Sequence, residues 1–224
     1  MRQTEILLRP VLFFVVSAFL LGGCGKAETA ETSLNEAQVS KEPYRLIMLG
    51  DSITAGYGLP SGEALPVQLE AALGAKGVHI DVINAGVSGD TTGDALARLS
   101  WVLGAGGDGV LIALGGNDLL QGVNPARTEE NLREIIETAK MRGFDVMLAG
   151  MQATGNYGQD FQKQFNALFP TLAKEHDIPF YPFLLEGVAL RPLYNQSDLI
   201  HPNEKGVDII VDELAPFIEA SVPR

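Results

Sequence analysis

The feature that most constrains the fold is a regular alternation of short apolar runs and longer amphipathic segments, which begins near Tyr44. The short runs have the length and apolarity of buried strands, and the longer segments have the apolar spacing of helices. Strands this apolar cannot face water, so the alternation predicts a parallel sheet with helices on both faces. We therefore expect a single α/β domain, a three-layer α/β/α sandwich whose parallel sheet has about five strands.

The same alternation predicts where the individual elements lie. Five runs are interpreted as strands, at 45–49, 79–84, 109–114, 145–150 and 179–182. Five amphipathic segments are interpreted as helices, at 64–75, 92–103, 128–142, 161–176 and 204–220. A chain of 224 residues is long enough for one well-filled domain of this kind.

The N-terminus has the pattern of an export signal. Arg2 and Arg9 precede an uncharged apolar run at 11–21, which is shorter than the ~20 residues that a membrane-spanning helix needs. The run leads into Leu-Gly-Gly-Cys, a sequence similar to the bacterial lipobox, and Cys24 is the only cysteine of the chain. We expect residues 1–23 to be a signal peptide cleaved before Cys24, and Cys24 to carry lipid. Plain secretion is the alternative.

Residues 24–42 are rich in Ala, Glu, Ser and Thr without apolar periodicity, which predicts a flexible tether. The folded domain is then expected at 43–224. The protein would be exported from a bacterial cytoplasm and anchored in a membrane, facing the periplasm or the cell exterior. Its formal net charge of −12 argues against a nucleic-acid partner, because phosphates would be repelled.

Polar loops follow the first three predicted strands, at 50–52, 84–91 and 115–118. Open parallel sheets bind ligands outside the carboxyl ends of their strands, so these loops can converge on one site. Ser52 lies at a strand-to-helix turn, where a nucleophilic hydroxyl would be held. Taken alone, its Gly-Asp-Ser tripeptide is equally typical of a turn that ends a strand and caps the next helix.

A serine hydroxyl needs a base that takes its proton, and His201 is the best candidate among three histidines. Asp198 precedes it by three residues, a spacing that lets one turn of chain point both side chains the same way. Asp198 can then accept from one imidazole nitrogen while the other faces Ser52. A surface turn that caps a helix is the alternative. His176 lies at a charged helix end and His79 opens a strand on the side away from the loops, so both fit less well.

Acyl transfer also requires hydrogen-bond donors aimed at the developing oxyanion. The backbone N–H of Ser52 lies at a predicted helix start, and that of Gly89 lies in a loop where the missing side chain permits close approach. The side-chain amide of Asn117 can donate from the third loop. Gly89 and Asn117, each taken alone, are also typical turn residues.

Together these loops resemble the SGNH, or GDSL-type, hydrolase family, and the resemblance extends over 46–214. The family's blocks occur in order as Gly50-Asp51-Ser52 with Ile53-Thr54-Ala55-Gly56-Tyr57, Gly89, Gly115-x-Asn117-Asp118, and Asp198-x-x-His201-Pro202-Asn203. The resemblance implies a flavodoxin-like sandwich, with Ser52 as nucleophile, His201 as general base and then acid, and Asp198 as the orienting carboxylate. It assigns the oxyanion hole to Ser52, Gly89 and Asn117, and it implies no metal or organic cofactor.

Within the family, the sequence is most similar to small bacterial exported esterases with arylesterase, thioesterase and lysophospholipase activities. In these relatives the loop that matches Asn156-Tyr157-Gly158 lies over the acyl pocket, which makes this segment the expected substrate loop. An ordinary exposed loop is the alternative. The implied function is hydrolysis of acyl esters, including thioesters, through an acyl-enzyme on Ser52. The alternatives are a carbohydrate acetylesterase and a membrane-tethered binding lipoprotein without turnover. The oligomeric state stays open.

Overall fold

Five parallel strands form the sheet, in the order β2-β1-β3-β4-β5. A computed structural model describes residues 42–154 and 157–223 of the chain. Its strands are β1 (Tyr44–Gly50), β2 (Ile80–Gly86), β3 (Gly109–Ala113), β4 (Asp145–Ala149) and β5 (Phe180–Tyr181). Its helices are α1 (Ser52–Ala55), α2 (Leu65–Ala75), α3 (Thr92–Gly104), α4 (Gly116–Gln121), α5 (Pro125–Met141), α6 (Gln159–His176) and α7 (Glu204–Ser221), with a 3₁₀ turn at Ser61–Glu63.

Helices cover both faces of the sheet and complete a three-layer sandwich. α2 packs against α7 on one face, whereas α5 packs between α3 and α6 on the other. β3 lies between β1 and β4 and is buried over its whole length. The bulkiest fully buried side chains are those of Phe165 and Phe169 on α6. Fully burying a side chain of this size contributes about 1.5–3 kcal/mol to stability.

The strand order determines where a ligand can bind. From β1 the chain moves outward to β2, and it then crosses back over β1 to β3. In this topology the loops after β1 and β3 lead to opposite faces of the sheet and leave a crevice between them. We call the edge at which the strands end the carboxyl edge, and the edge at which they begin the amino edge.

The predicted α/β sandwich with a five-stranded parallel sheet is confirmed. α5 begins at Pro125 rather than at 128, because the Asn124 side chain accepts from the N–H of Ala126 and caps the helix. The sequence does not predict α1 and α4, because four and six residues are too few to show a helical period.

The predicted signal peptide, Cys24 and nearly all of the tether lie outside the described residues. No helix in the described part is long and apolar enough to cross a membrane.

Candidate active site

Ser52 lies in the first turn of α1, directly after β1. The Asp51 carboxylate caps this helix by accepting from the N–H of Ile53 at 3.0 Å. The turn is tight, because a side chain at Gly50 would collide with α1. α1 ends after one turn at Gly56, whose left-handed φ of 80° favours glycine. The strand and the short helix thus hold Ser52 at the carboxyl edge.

Asp198 and His201 lie together in the loop before α7. Oδ1 of Asp198 accepts from the N–H groups of Ile200 at 2.9 Å and His201 at 3.0 Å. Leu199 has a φ of 61°, a left-handed conformation that costs a non-glycine residue roughly 1–2 kcal/mol. A strained turn stabilised by the Asp198 carboxylate, and not a helical turn, therefore brings the two side chains to the same side.

The three predicted side chains form one hydrogen-bonded chain. His201 Nδ1 lies 2.7 Å from Asp198 Oδ2, and His201 Nε2 lies 2.9 Å from Ser52 Oγ. Burial alone would raise the pKa of Asp198, but hydrogen bonds from the His201 ring and from two backbone N–H groups hold it at about 2. An ionised carboxylate only accepts, so Nδ1 carries the proton and Nε2 can accept the hydroxyl proton of Ser52. This arrangement can activate the hydroxyl for attack on an electrophile.

Two residues hold His201 against the end of α1. The Gln196 N–H donates to the His201 carbonyl at 2.8 Å, and the Gln196 amide donates to the Tyr57 carbonyl at 2.7 Å. Gly58 leaves room for this amide, because a side chain there would collide with it. The Tyr57 ring centroid lies 4.6 Å from that of His201, with the planes tilted by 39°. An imidazolium formed at His201 would be stabilised by the aromatic face.

Arg98 on α3 bonds both the loop that carries Gly89 and the ends of β1 and β2, and so holds them together. Its Nε lies 2.6 Å from the Asp90 carboxylate, and its Nη2 donates to the carbonyls of Gly50 at 3.1 Å and Ala85 at 2.9 Å. Gly89 has a φ of 92°, and a side chain there would meet no atom within 4 Å. The backbone conformation therefore requires glycine, and the space beside Gly89 is open.

The first turn of α4, which follows β3, places Asn117 beside the loop after β2. Asn117 Nδ2 donates to the Asp90 carbonyl at 2.9 Å, which orients the amide and leaves its second N–H for another acceptor. Asp118 is fully buried and accepts from the N–H and hydroxyl of Thr92, at 2.8 and 2.5 Å, and from the hydroxyl of Thr128 at 3.1 Å. These bonds fix the Asn117 loop to the first turns of α3 and α5.

Comparison with known proteins identifies the family. Residues 48–209 match the model of the GDSL-like lipase/acylhydrolase family. Thioesterase 1/protease 1/lysophospholipase L1 of Escherichia coli K12 is 39% identical over 178 residues, which cover 79% of this chain and 84% of that protein. An arylesterase of Vibrio mimicus is 36% identical over 177 residues, with 79% and 88% covered. The crystal structure of AlinE4, an SGNH-hydrolase family esterase, has a TM-score of 0.69 and 40% identity, with 82% of this chain and 99% of that chain covered.

The chain belongs to the GDSL-like lipase/acylhydrolase family. The predicted family and the predicted enzyme class, a carboxylic ester hydrolase, are thereby confirmed. The four sequence blocks that carry the family resemblance lie at the carboxyl edge of the sheet, in the loops and in the short helices α1 and α4.

The pKa of Asp51 is raised to about 6, chiefly by burial of the carboxyl group and to a smaller extent by the nearby carboxylate of Asp118. The hydrogen bond from the N–H of Ile53 and the proximity of His201 oppose this shift. Asp51 is 2% exposed and forms no hydrogen bond with His201 among the described residues.

Within 42–154 and 157–223, no group of three or more His, Cys, Asp or Glu side chains is arranged to hold a metal ion.

Three residues that shape this site are missed by sequence reasoning, namely Tyr57, Arg98 and Gln196. Tyr57 lies inside a matched sequence block, which is a signal that it belongs to the site. Arg98 and Gln196 carry no such signal, because each also bonds a backbone carbonyl far away in sequence. The Gln196 amide, for example, bonds a carbonyl 139 positions away.

Ser52 is 8% exposed and borders a small cleft. A cleft of about 10 Å³ lies beside Ser52 and His201, which is room for one group the size of a water molecule. Of the predicted substrate loop, Asn156 lies outside the described residues. Tyr157 stacks on Phe161 with ring centroids 5.5 Å apart, and Gly158 precedes α6 with a φ of 86°. The role of this loop over the acyl chain stays a prediction.

Proposed function

We propose that the enzyme hydrolyses acyl esters through an acyl-enzyme on Ser52, with His201 as the base and Asp198 as the carboxylate that orients it. The observation that carries this proposal is the chain of contacts from Asp198 Oδ2 through both ring nitrogens of His201 to Ser52 Oγ, at 2.7 and 2.9 Å. These distances lie within the range in which a base can remove a proton directly.

The geometry supports a two-step reaction. His201 Nε2 takes the hydroxyl proton as Ser52 Oγ attacks the acyl carbon, and the imidazolium then gives that proton to the leaving oxygen or sulfur. In the second step, His201 removes a proton from water as the water attacks the acyl carbon, and the imidazolium then returns that proton to Ser52 Oγ as the bond to the acyl group breaks and the acid leaves. The Asp198 carboxylate and the Tyr57 ring favour the imidazolium that forms in each step.

Donors for the oxyanion are proposed at three positions. The N–H of Ser52 points from the start of α1, and the N–H of Gly89 lies in the loop that Arg98 holds. Asn117 has one N–H engaged with the Asp90 carbonyl and a second available. Losing one such donor typically costs about 2.7–4 kcal/mol of transition-state stabilisation.

The proposed substrates are aryl esters, thioesters and lysophospholipid-type acyl esters. This range is supported by the names of the relatives, a thioesterase/lysophospholipase and an arylesterase, at 39% and 36% identity. A panel of esters and thioesters of graded chain length would define the preferred acyl group.

Export and anchoring are a further part of the proposal. The apolar run at 11–21 and the single Cys24 after it support cleavage of a signal peptide and lipid attachment at the cysteine. The protein would then face the periplasm or the cell exterior on a tether at 24–42.

The Ser52→Ala variant tests the proposed chemistry. Without the nucleophile, hydrolysis of a chromogenic ester should fall by at least about 10⁴-fold, because residues of such a set act as a unit. His201→Ala should lower the rate of hydrolysis to a comparable extent. Circular dichroism and thermal melting should stay close to those of the parent enzyme.

Ser221→Ala, at a serine on α7 remote from Ser52 in the chain, is the matched control and should keep parent activity. A fluorophosphonate probe should label the parent and the control but not Ser52→Ala. Undiminished turnover in Ser52→Ala would rule out this serine as the nucleophile.

A further inference from the structure

Two large apolar side chains are left almost fully exposed at the ends of neighbouring helices. Trp101, in the last turn of α3, and Met141, the last residue of α5, are each 80% exposed. Trp101 is the only tryptophan of the chain. Tryptophan is enriched at the boundary between lipid and water, where its ring fits the headgroup region.

Hydrogen bonds hold these helix ends side by side. The Arg142 guanidinium donates to the carbonyl of Ser100 at 3.2 Å and to its hydroxyl at 3.1 Å. Arg142 follows Met141 in the chain, and Ser100 precedes Trp101. The two exposed side chains therefore belong to one surface, at the end of the layer formed by α3, α5 and α6.

This surface lies at the amino edge of the sheet, where the described chain begins. α3 leads into β3 and α5 leads into β4, so both helices end at this edge. Here the N–H of Asp108 donates to the Arg45 carbonyl at 2.9 Å, and the Tyr44 hydroxyl donates to Asp145 at 2.9 Å. Glu42, the first described residue, precedes Tyr44 by two positions. The tether thus joins the domain at the edge that carries the exposed apolar pair.

Cationic side chains lie at the same edge as the apolar pair. Arg45, Lys140 and Arg142 form no ion pair within 4.0 Å among the residues that the structure describes. Lys140 and Arg142 donate instead to uncharged oxygens of His176 and Ser100. The edge also carries the carboxylates of Asp108 and Asp145, which accept from the Arg45 N–H and the Tyr44 hydroxyl. The three cations are therefore available to attract anionic phospholipid headgroups.

We propose that this amino-edge patch, formed by Trp101, Met141, Arg45, Lys140 and Arg142, rests on the phospholipid bilayer that holds the lipid of Cys24. The inference rests on the proposed anchor. Residues 25–41 can span at most about 60 Å when fully extended, so the tether allows direct contact but does not enforce it. The patch supplies the contact that selects one orientation of the domain.

This orientation turns the active site away from the membrane. Ser52 lies at the carboxyl edge, and the seven residues of β1 separate that edge from the amino edge by roughly 20 Å. The enzyme would therefore take its acyl ester from the aqueous compartment, and not from the bilayer in which it is anchored.

The single tryptophan makes this contact directly measurable. The chain 24–224 keeps every described residue, and its only thiol, Cys24, can be coupled to a maleimide phospholipid in vesicles of phosphatidylethanolamine and phosphatidylglycerol. Chemical coupling supplies the anchor even if cells do not lipidate Cys24. On coupling, Trp101 emission should shift to shorter wavelength, become less accessible to acrylamide, and lose intensity when the lipids carry brominated acyl chains.

Substitutions localise the contact. Met141→Glu should weaken all three changes, because it places a charge in the apolar part of the patch. The matched control is Val67→Glu, which adds the same charge at a 46% exposed position on the first turn of α2, at the carboxyl edge. Val67→Glu should show the same three changes in Trp101 fluorescence as the parent. High salt should reduce the contact through screening of the cations.

Unchanged Trp101 emission on coupling, or an equal effect of both substitutions, would overturn the proposal. A shift that appears without vesicles and grows with protein concentration would assign the patch to a second copy of the chain and would also overturn it. The fluorescence readout does not depend on Ser52, so loss of the proposed hydrolase function would leave this test intact.

Discussion

Asp51 illustrates how the surroundings of a single residue decide its role. It precedes Ser52 in sequence, yet Asp198 forms the hydrogen bond with His201. Asp51 is buried beneath α1, where one carboxylate oxygen caps the helix. Burial raises its pKa to about 6, whereas the hydrogen bonds at the more exposed Asp198 hold that pKa at about 2. The two carboxyl groups therefore differ in protonation just below neutral pH.

The raised pKa of Asp51 predicts a pH-dependent stability. The folded state binds this proton more tightly than the unfolded state, whose value is near 3.8, so ionising Asp51 destabilises the fold. The penalty is absent below about pH 4 and complete above about pH 7, where it amounts to roughly 3 kcal/mol. The free energy of unfolding of Asp51→Asn, relative to that of the parent, should therefore increase by up to that amount between pH 4 and pH 8.

Urea unfolding of both proteins at the two pH values measures this difference. Asp208→Asn, at an exposed position on α7, is the control for removing one carboxylate. If the difference in free energy of unfolding between Asp51→Asn and the parent is the same at both pH values, Asp51 does not retain its proton on folding.

At the scale of elements, α3 organises the loops at the carboxyl edge. Arg98 on this helix bonds the Asp90 carboxylate and the carbonyl groups at the ends of β1 and β2. The first turn of the same helix donates to Asp118, which fixes the loop of Asn117. Two of the three proposed oxyanion donors therefore depend on one helix that contributes no reacting atom.

Arg98→Met should impair catalysis more than binding. The loop of Gly89 would lose its tie to the strand ends, and Asp90 would be left as an unpaired, largely buried carboxylate. A displacement of about 1 Å in such a loop can cost about 10²-fold in rate, so kcat should fall by about 10- to 100-fold with a smaller change in KM.

Arg127→Met is the matched control, because its pair with Glu130 is about two-thirds exposed on both sides and contributes little. Steady-state kinetics on one aryl ester, with thermal melts of each variant, separate loss of geometry from loss of fold. Parent-like kcat in a folded Arg98→Met enzyme would contradict the role of this arginine.

On the scale of the whole molecule, the proposed site and the proposed anchor belong to different edges of the sheet. Ser52, Gly89, Asn117 and His201 lie at the carboxyl edge, and the described chain begins at the amino edge. The proposed anchor and the proposed reaction would thus lie at opposite edges of the sheet.

Cys24→Ser should abolish membrane anchoring while leaving hydrolysis intact, because the cysteine lies in the tether and not in the site. In bacteria fed an alkyne fatty acid, the full-length parent should carry the label and sediment with membranes, and Cys24→Ser should do neither. Ser33→Ala, also in the tether, is the control and should be labelled like the parent. An unlabelled parent would exclude lipidation and leave plain secretion as the alternative.

The gaps in the sequence-based predictions have physical causes. The segments that form α1 and α4 are too short to repeat a helical pattern, so their helical state depends on the strand ends and loops around them. The turn at Asp198 and His201 depends on a strained Leu199, whose conformation no local preference of leucine would predict. Arg98 and Gln196 act in part through bonds to the backbone carbonyls of Gly50 and Tyr57, which any residue at those positions could supply.

The sequence by itself determined the sandwich fold, the family and the candidate site residues, because strand–helix alternation and motif spacing can be recognised from residue types alone. Those candidates are Ser52, Gly89, Asn117, Asp198 and His201. Only the tertiary structure decided how these residues meet. It brought His201 to 2.9 Å from Ser52 across 149 positions, and it buried Asp51 while placing the Asp198 carboxylate 2.7 Å from the imidazole. It also left Trp101 exposed in the last turn of α3, at the amino edge of the sheet. Each of these outcomes depends on distances between segments far apart in the chain, which the order of residues does not specify.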